Sequence, residues 1–206
     1  MTFRTEEKLR LSLGKSFDLK EWIVKNDGKL LYPDRLINSI YFDTFNHAMF
    51  KDSMEGVLPR KKIRLRQYSK HFLFTSKINK EIKISSVEGR FKMSKKINDV
   101  KKMMNLGIFD QKYGVCHPNI NICYNRSYYQ IKGIRLTIDK DIIYRKVNKE
   151  TISNYTIKDI TNVVELKYSN NSLTNLVIKN FPFEKSRFSK YCRAIEFTKS
   201  NRCNEI

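Results

Sequence analysis

The sequence predicts an α+β protein built on a mostly antiparallel β-sheet with a few peripheral helices, and three observations carry that prediction. Alternation of apolar and charged residues with a period of two recurs in many short segments. Helical periodicity is confined to a handful of short stretches. The charge is strongly one-sided: 206 residues include 41 Lys and Arg against 21 Asp and Glu, a formal charge of +20 at pH 7. With 40% hydrophobic residues the chain has the means to bury a core, so disorder is not the expectation. No Pro-, Ser- or Gln-rich linker and no repeat of fixed period divides it, and a single domain over residues 1–206 is expected.

Taken in order, RTEEKLRLSL sets Glu6, Lys8, Arg10 and Ser12 opposite Leu9, Leu11 and Leu13, a strand. After Ser16 the stretch FDLKEWIVKN places Leu19, Trp22 and Ile23 on one stripe, with Gly28 just past its end, a three-turn helix. NSIYFD opposes Ile40 and Phe42 to Ser39, Tyr41 and Asp43. A short helix is expected at 45–52. LPRKKIRLRQY (58–68) lines up Arg60, Lys62, Arg64 and Arg66 on one side, with Ile63 and Leu65 on the other. Strands are expected around 70–78 and 90–93, and EIKIS opposes Glu81 and Lys83 to Ile82 and Ile84. A helix after Ser94 carries Ile97, Val100, Met103 and Met104 and closes at Gly107. Strands follow at 121–130, at IRLTIDKDI (134–142), at 143–147 and at VVELKYS (163–169), with short helices at 172–179 and 188–195.

Several classes of function are disfavoured by composition. Cys116, Cys123, Cys192 and Cys203 show no C-x-x-C spacing, and His47, His71 and His117 follow no metal-ligand pattern, so reduced, ordinary thiols are expected. The N-terminal MTFRTEEKLRLSL is charged from the start, and no apolar run reaches the length of a signal sequence or membrane span. A cytoplasmic protein is the expectation, with a membrane-protein partner left open.

The charged strand faces point further. Solvent faces of antiparallel sheets usually mix Ser, Thr, Asn and Gln with charges, whereas here Arg, Lys and Glu dominate. A sheet curled so that these faces converge would enclose a charged cavity and leave its apolar sides under the helices. Such a cavity is too costly to be a dry core; it suits a polyanion. Guanidinium forks donate to phosphate oxygens in pairs and lysines add point charge. Carboxylates among them suit a hard divalent cation that bridges phosphate oxygens. The ligand read from the residues is a linear chain of phosphates with a metal ion.

The ordered set R-x-E-x-K (Arg4, Glu6, Lys8), S-I-Y-F-D-T (39–44), E-G-x-x-P-R-x-K-I-R-L-R-x-Y (55–68), E-I-K (81–83), R-F-K (90–92), Y-N-R (124–126), R-L-T-I-D (135–139), E-L-K-Y (165–168) and S-K-Y (189–191) resembles the VTC domain, the catalytic domain of vacuolar transporter chaperone polyphosphate polymerases. The resemblance implies a triphosphate-tunnel fold, an antiparallel barrel of about eight strands. It implies transfer of the γ-phosphate of ATP to a growing polyphosphate chain with Mn2+ or Mg2+. ATP and inorganic polyphosphate are then the partners, and no nucleic acid is expected.

Carried over position by position, Arg64, Arg66, Lys83, Arg126, Arg135 and Lys190 become the catalytic cations. Lys8, Lys92 and Ser189 become further phosphate contacts, and Glu165 the metal ligand. Lys62 and Glu6, on the same faces, join as a phosphate contact and a metal ligand. Two other readings stay open: a metal-dependent triphosphate or nucleoside-triphosphate hydrolase of the same fold, and a non-catalytic basic module that binds polyphosphate or nucleic acid. Tyr124, Tyr128 and Tyr129 would serve the last as stacking platforms, although aromatics in strands are more often core. Lys61 and Cys192 are expected to lie outside the chemistry.

Overall fold

The computed structural model describes residues 4–73, 78–149, 151–169 and 171–200. Its elements run β1 (Arg4–Leu11), α1 (Leu13–Lys25), β2 (Lys29–Asp43), α2 (Ala48–Glu55), β3 (Arg60–Gln67), β4 (Ile78–Ser86), β5 (Gly89–Ile97), α3 (Val100–Leu106), β6 (Ile108–Asp110), β7 (Gly114–Ile131), β8 (Ile134–Asn148), β9 (Thr151–Ile152), β10 (Ile157–Lys158), β11 (Asn162–Ser169), α4 (Ser172–Lys179) and α5 (Lys190–Ser200). The strands form a sheet whose main path has eight members in the order β1-β11-β8-β7-β2-β3-β4-β5, with β9 and β10 beside β8 and β6 beside β7. The expected α+β class, a mostly antiparallel sheet with an eight-strand main path and peripheral helices, is the one observed; the expected barrel closure is not, because among the described residues the path runs open from β1 to β5 with no pairing between those two strands.

Packing groups the chain into two compact units. Of the described residues, the first comprises those within 4–36, 124–142 and 158–188; the second comprises those within 37–123, 143–157 and 189–200. In the first, Leu9 and Leu11 of β1, Leu136 and Ile138 of β8, and Val164 and Leu166 of β11 are buried together with Leu19 and Ile23 of α1 and Val177 of α4. Trp22 packs against this core, edge-on to Phe181. In the second, Ile40 and Phe42 of β2 and Ile63 and Leu65 of β3 are buried with Met49 of α2 and Val100 and Met104 of α3. In each unit the apolar strand face lies under helices, as the alternation predicts. The opposite faces carry the charges.

Local chemistry moved several boundaries. The first helix starts at Leu13 rather than after Ser16, because Ser12 is its N-cap, accepting from the Lys15 N–H at 3.3 Å. The expected strand to Leu13 therefore stops at Leu11. The Ser16 hydroxyl instead donates to the Ser12 carbonyl. Gly28 donates to the Ile23 carbonyl, and a Cβ there would meet Ile23 side-chain and backbone atoms within 3 Å.

The third helix begins only after Asp99, whose side chain accepts from Lys102 N–H; Ile97, expected on it, ends β5 instead. The strand expected around 70–78 is not seen at 70–73, residues 74–77 lie outside those described, and Ile78 opens β4. Expected strands at 134–142 and 143–147 are one, β8, joined to β7 by Lys132-Gly133, both at positive φ, a two-residue hairpin turn. Cys116, Cys123 and Cys192 are buried; Cys203 lies outside the described residues. Among the described residues, no helix is long and apolar enough to cross a membrane.

Candidate functional site

Register in the second unit assembles a cationic face. Residues opposite one another in an antiparallel pair share a face, and the pairing of β3 with β4 and of β4 with β5 gives successive rows Arg60–Ser85–Arg90, Lys62–Lys83–Lys92, Arg64–Glu81–Ser94 and Arg66–Asn79–Lys96. Tyr41 and Ser39 of β2 extend the last two rows. Three strands thus set eight cations on one face with the single carboxylate of Glu81, and one row is three lysines side by side. Like charges facing one another destabilise a sheet. This arrangement is costly unless something anionic answers it.

Glu81 answers part of it. The Arg64 guanidinium donates through Nε to Glu81 Oε2 at 2.7 Å and through Nη1 to the Tyr41 hydroxyl at 2.7 Å. Lys92 donates to Glu81 Oε1 at 2.6 Å, and Arg66 reaches Oε2 at 3.6 Å while its Nε donates to Ser39. Burial, the largest single influence on Glu81, favours its neutral form; Arg64 and Arg66 with the Lys92 and Arg64 hydrogen bonds outweigh it and hold the carboxyl down at about 2. The same guanidinium groups act on Tyr41, where burial again pushes up but Arg64, Arg66 and Lys83 bring the phenol down to about 7.

The start of α5 belongs to the same unit. Ser189 caps it, its hydroxyl accepting from the Cys192 N–H at 3.3 Å and its carbonyl from the Arg193 N–H. Lys62 donates to the Ser189 hydroxyl at 2.8 Å. A helix N-terminus and an ammonium therefore meet at Ser189, both of them favourable to an anion. Lys190, half-buried, is the first residue of the helix. Tyr191 stacks on Tyr41 with ring centroids 5.2 Å apart and donates to Asp43, which in turn accepts from the N–H groups of Met49 and Phe50. Burial first, then the Asp43 carboxylate, raise Tyr191 well above the ordinary phenol range.

Charges in the first unit are arranged differently. Its rows are Glu6–Lys167–Arg135 and Lys8–Glu165–Thr137, across β1, β11 and β8. Lys167 contacts Glu165 at 2.8 Å and Glu6 at 3.4 Å, and Lys8 contacts Glu6 at 3.3 Å. Burial pushes Glu165 up, but Lys8, Lys167 and Arg126 prevail and hold it well below the ordinary carboxylate range. Arg126 forms a two-point ion pair with Asp139, which is 1% exposed, through Nε and through Nη2 at 2.7 Å. Arg135 lies over the Tyr128 ring, 5.5 Å from its centroid.

Glu6 and Glu165 both reach one ammonium, so two hard oxygen donors already converge on a single cation. Among the described residues there is no group of three or more His, Cys, Asp or Glu placed to hold a metal. A Mg2+ or Mn2+ ion fits such a pair only by completing its shell with water and phosphate oxygens, which is how Mg2+ usually binds.

The structure thus brings Lys62, Arg64, Arg66, Lys83, Lys92, Ser189 and Lys190 into the second unit and Glu6, Lys8, Arg126, Arg135 and Glu165 into the first. Sequence reasoning did not anticipate Glu81 as the centre of the cationic face, Asp139 as the partner of Arg126, or Tyr41 as the partner of Arg64. All three sit inside the quoted motifs, E-I-K, R-L-T-I-D and S-I-Y-F-D-T. Arg60 is drawn aside, donating to the carbonyls of Gly56 and Val57. Tyr124 and Tyr128 are buried rather than offered as stacking platforms. Lys61 points away from the cationic row to Asp110, at 2.8 Å.

The sequence matches the VTC domain over residues 3–199. No curated protein matches it. Among solved structures, one described as that of a "putative adenylate cyclase" from Vibrio parahaemolyticus is similar over 95% of this chain and 98% of that chain, with a TM-score of 0.52 and 11% sequence identity. At that identity the likeness shows a shared fold.

Proposed function

The chain belongs to the VTC domain family, and from that premise we propose that it is a polyphosphate polymerase, transferring the γ-phosphate of ATP to a growing chain of inorganic phosphate. The observation that carries this reading is the face of β3, β4 and β5, which eight cations share with the single carboxylate of Glu81. Its rows repeat about every 6.6–6.8 Å along a strand, so the charge extends along a line. That suits a linear polyanion better than a single phosphate.

Phosphoryl transfer depends mainly on holding donor and acceptor in line and on stabilising charge on the transferring oxygens. Arg64 and Arg66, braced by Glu81, Tyr41 and Ser39, present guanidinium groups with little freedom left to lose. Lys83 and Lys92 add charge beside them, and Lys62, Ser189 and Lys190 with the α5 N-terminus supply a second anion-binding point. In the first unit Lys8, Arg126 and Arg135 play the same part around Glu165. A divalent ion would be held by Glu165 and Glu6 and would neutralise phosphate oxygens. The acceptor phosphate is already ionised at neutral pH, so chain extension needs no strong base.

Hydrolysis of triphosphates is the second reading, and Tyr41 favours it: a phenol held near 7 beside Arg64 is a group able to take a proton from water. One assay separates the two. Purified protein with ATP and Mn2+ is expected to produce ladders of acid-insoluble polyphosphate; release of free phosphate alone would sink the polymerase reading.

A further inference from the structure

Two polar atoms on β8 are buried without any hydrogen-bond partner, the Oγ1 of Thr137 and the Nε of Arg135. Buried polar groups in folded proteins are almost always paired, and an unpaired one destabilises the fold. Thr137 is 5% exposed, and its hydroxyl oxygen itself presents almost no surface to solvent. A valine has the same shape and would carry no such penalty. The two atoms belong to residues i and i+2 of one strand, which places both side chains on one face.

The surroundings of that face specify what would pair with them. Register puts Thr137 opposite Glu165 and Arg135 opposite Lys167, with Lys8 beyond Glu165 on β1. The carboxylate opposite Thr137 is already engaged, Glu165 Oε1 with Lys167 at 2.8 Å. Arg135 Nε can only donate, and a hydroxyl can donate as well. Two unmet donors among the ammonium groups of Lys8 and Lys167 call for an acceptor with negative charge rather than a cation. The guanidinium lies over the Tyr128 ring, its Cζ 5.5 Å from the centroid, a contact that holds the side chain on this face.

We propose that Thr137 is a substrate-binding residue, its hydroxyl donating together with Arg135 Nε–H to one phosphate group of the phosphate chain. This rests on the phosphate-chain reading above and adds to it a neutral side chain that charge patterning alone does not select. Thr137 acts by hydrogen bonding, so it contributes position more than charge.

The test uses the full chain with Thr137→Val and Thr137→Ser. Thermal melts are recorded without ligand, and tripolyphosphate is titrated by calorimetry. An unpartnered hydroxyl predicts that Thr137→Val melts at or above the wild-type temperature without ligand. It binds tripolyphosphate on the order of tenfold more weakly, the loss of a hydrogen bond to a charged group, while Thr137→Ser keeps its affinity within about twofold. A Thr137→Val protein that is less stable without ligand would mean the hydroxyl serves the fold, and one that binds as tightly as wild type would mean it does not touch the chain; either overturns the proposal. Wild-type protein that shows no heat with tripolyphosphate would overturn the phosphate-chain reading itself, and this one with it.

Discussion

The pattern E-x-K occurs in both units, and they use it in opposite ways. In β1 and β11, Glu6 faces Lys167 and Glu165 faces Lys8, so that carboxylates and ammonium groups alternate like a checkerboard. In β4, Glu81 faces Arg64 on one side and Ser94 on the other, and Lys83 faces two more lysines. One array is close to neutral and holds its carboxylates among paired ammonium groups. The other has a large cationic surplus pinned by one buried carboxylate. The spacing of a motif decides which face its charges share; the neighbouring strands decide what those charges meet.

That contrast is broken most sharply by removing each glutamate in turn. Glu81 is 2% exposed and pairs with Arg64, Arg66 and Lys92, so Glu81→Gln leaves buried cations unanswered and is expected to cost about 3–5 kcal/mol in urea unfolding. Glu165, with a side chain 12% exposed among lysines, is expected to cost less stability as Glu165→Gln while losing metal-dependent turnover. If the two rank the other way in stability, Glu81 is not the centre of its array.

Next in size, Arg64→Ala with Arg66→Ala is expected to lower turnover by about 10²-fold or more in the ATP assay, since both side chains are fixed donors on the cationic face. A modest, salt-sensitive fall in affinity with turnover retained would instead mark that face as a diffuse binding surface.

Two titrations sharpen the comparison. Glu81 is held at about 2 from an ordinary 4.5. Its contribution to stability is therefore complete above the ordinary value and lost as pH falls through about 2. Wild type should lose stability over that window, measured by urea unfolding, and Glu81→Gln should lack that component. Tyr41 is brought from 10.0 to about 7. Near-ultraviolet absorbance should show a tyrosinate forming near neutrality that is missing from Tyr41→Phe, and the stability due to this group should grow as pH rises from about 7 toward 10.

The smallest effect is expected at Lys61, which pairs with Asp110 away from the cationic row. Lys61→Ala should cost up to about 1 kcal/mol and leave turnover unchanged. Activity damaged as much as by Arg66→Ala would show the face assignment to be wrong.

Much of this was legible in the chain. Period-two alternation placed Arg64 and Arg66 on one face and Ile63 and Leu65 on the other, because side chains in any strand alternate regardless of its partners. The apolar faces of β1, β8 and β11 could be read in the same way, as could the helical stripe of Leu19, Trp22 and Ile23. Helix starts were less legible. Ser12 and Ser16 are both good caps, and only the end of β1 at Leu11 selects the first.

What the sequence determined by itself was the sorting of its side chains: which are buried under helices, which face away, and that the second set is overwhelmingly cationic. What only the tertiary structure decided was who meets whom. Glu81 with Arg64 and Lys92, Arg126 with Asp139, and Tyr41 with Tyr191 join residues on different elements, up to 150 positions apart in the chain. Strand order and register set those meetings. A shift of one residue in register would exchange every partner and face, so no local pattern can encode them. The unpaired hydroxyl of Thr137 is the limiting case, since a threonine in R-L-T-I-D looks like any other strand residue until the fold buries it without a partner.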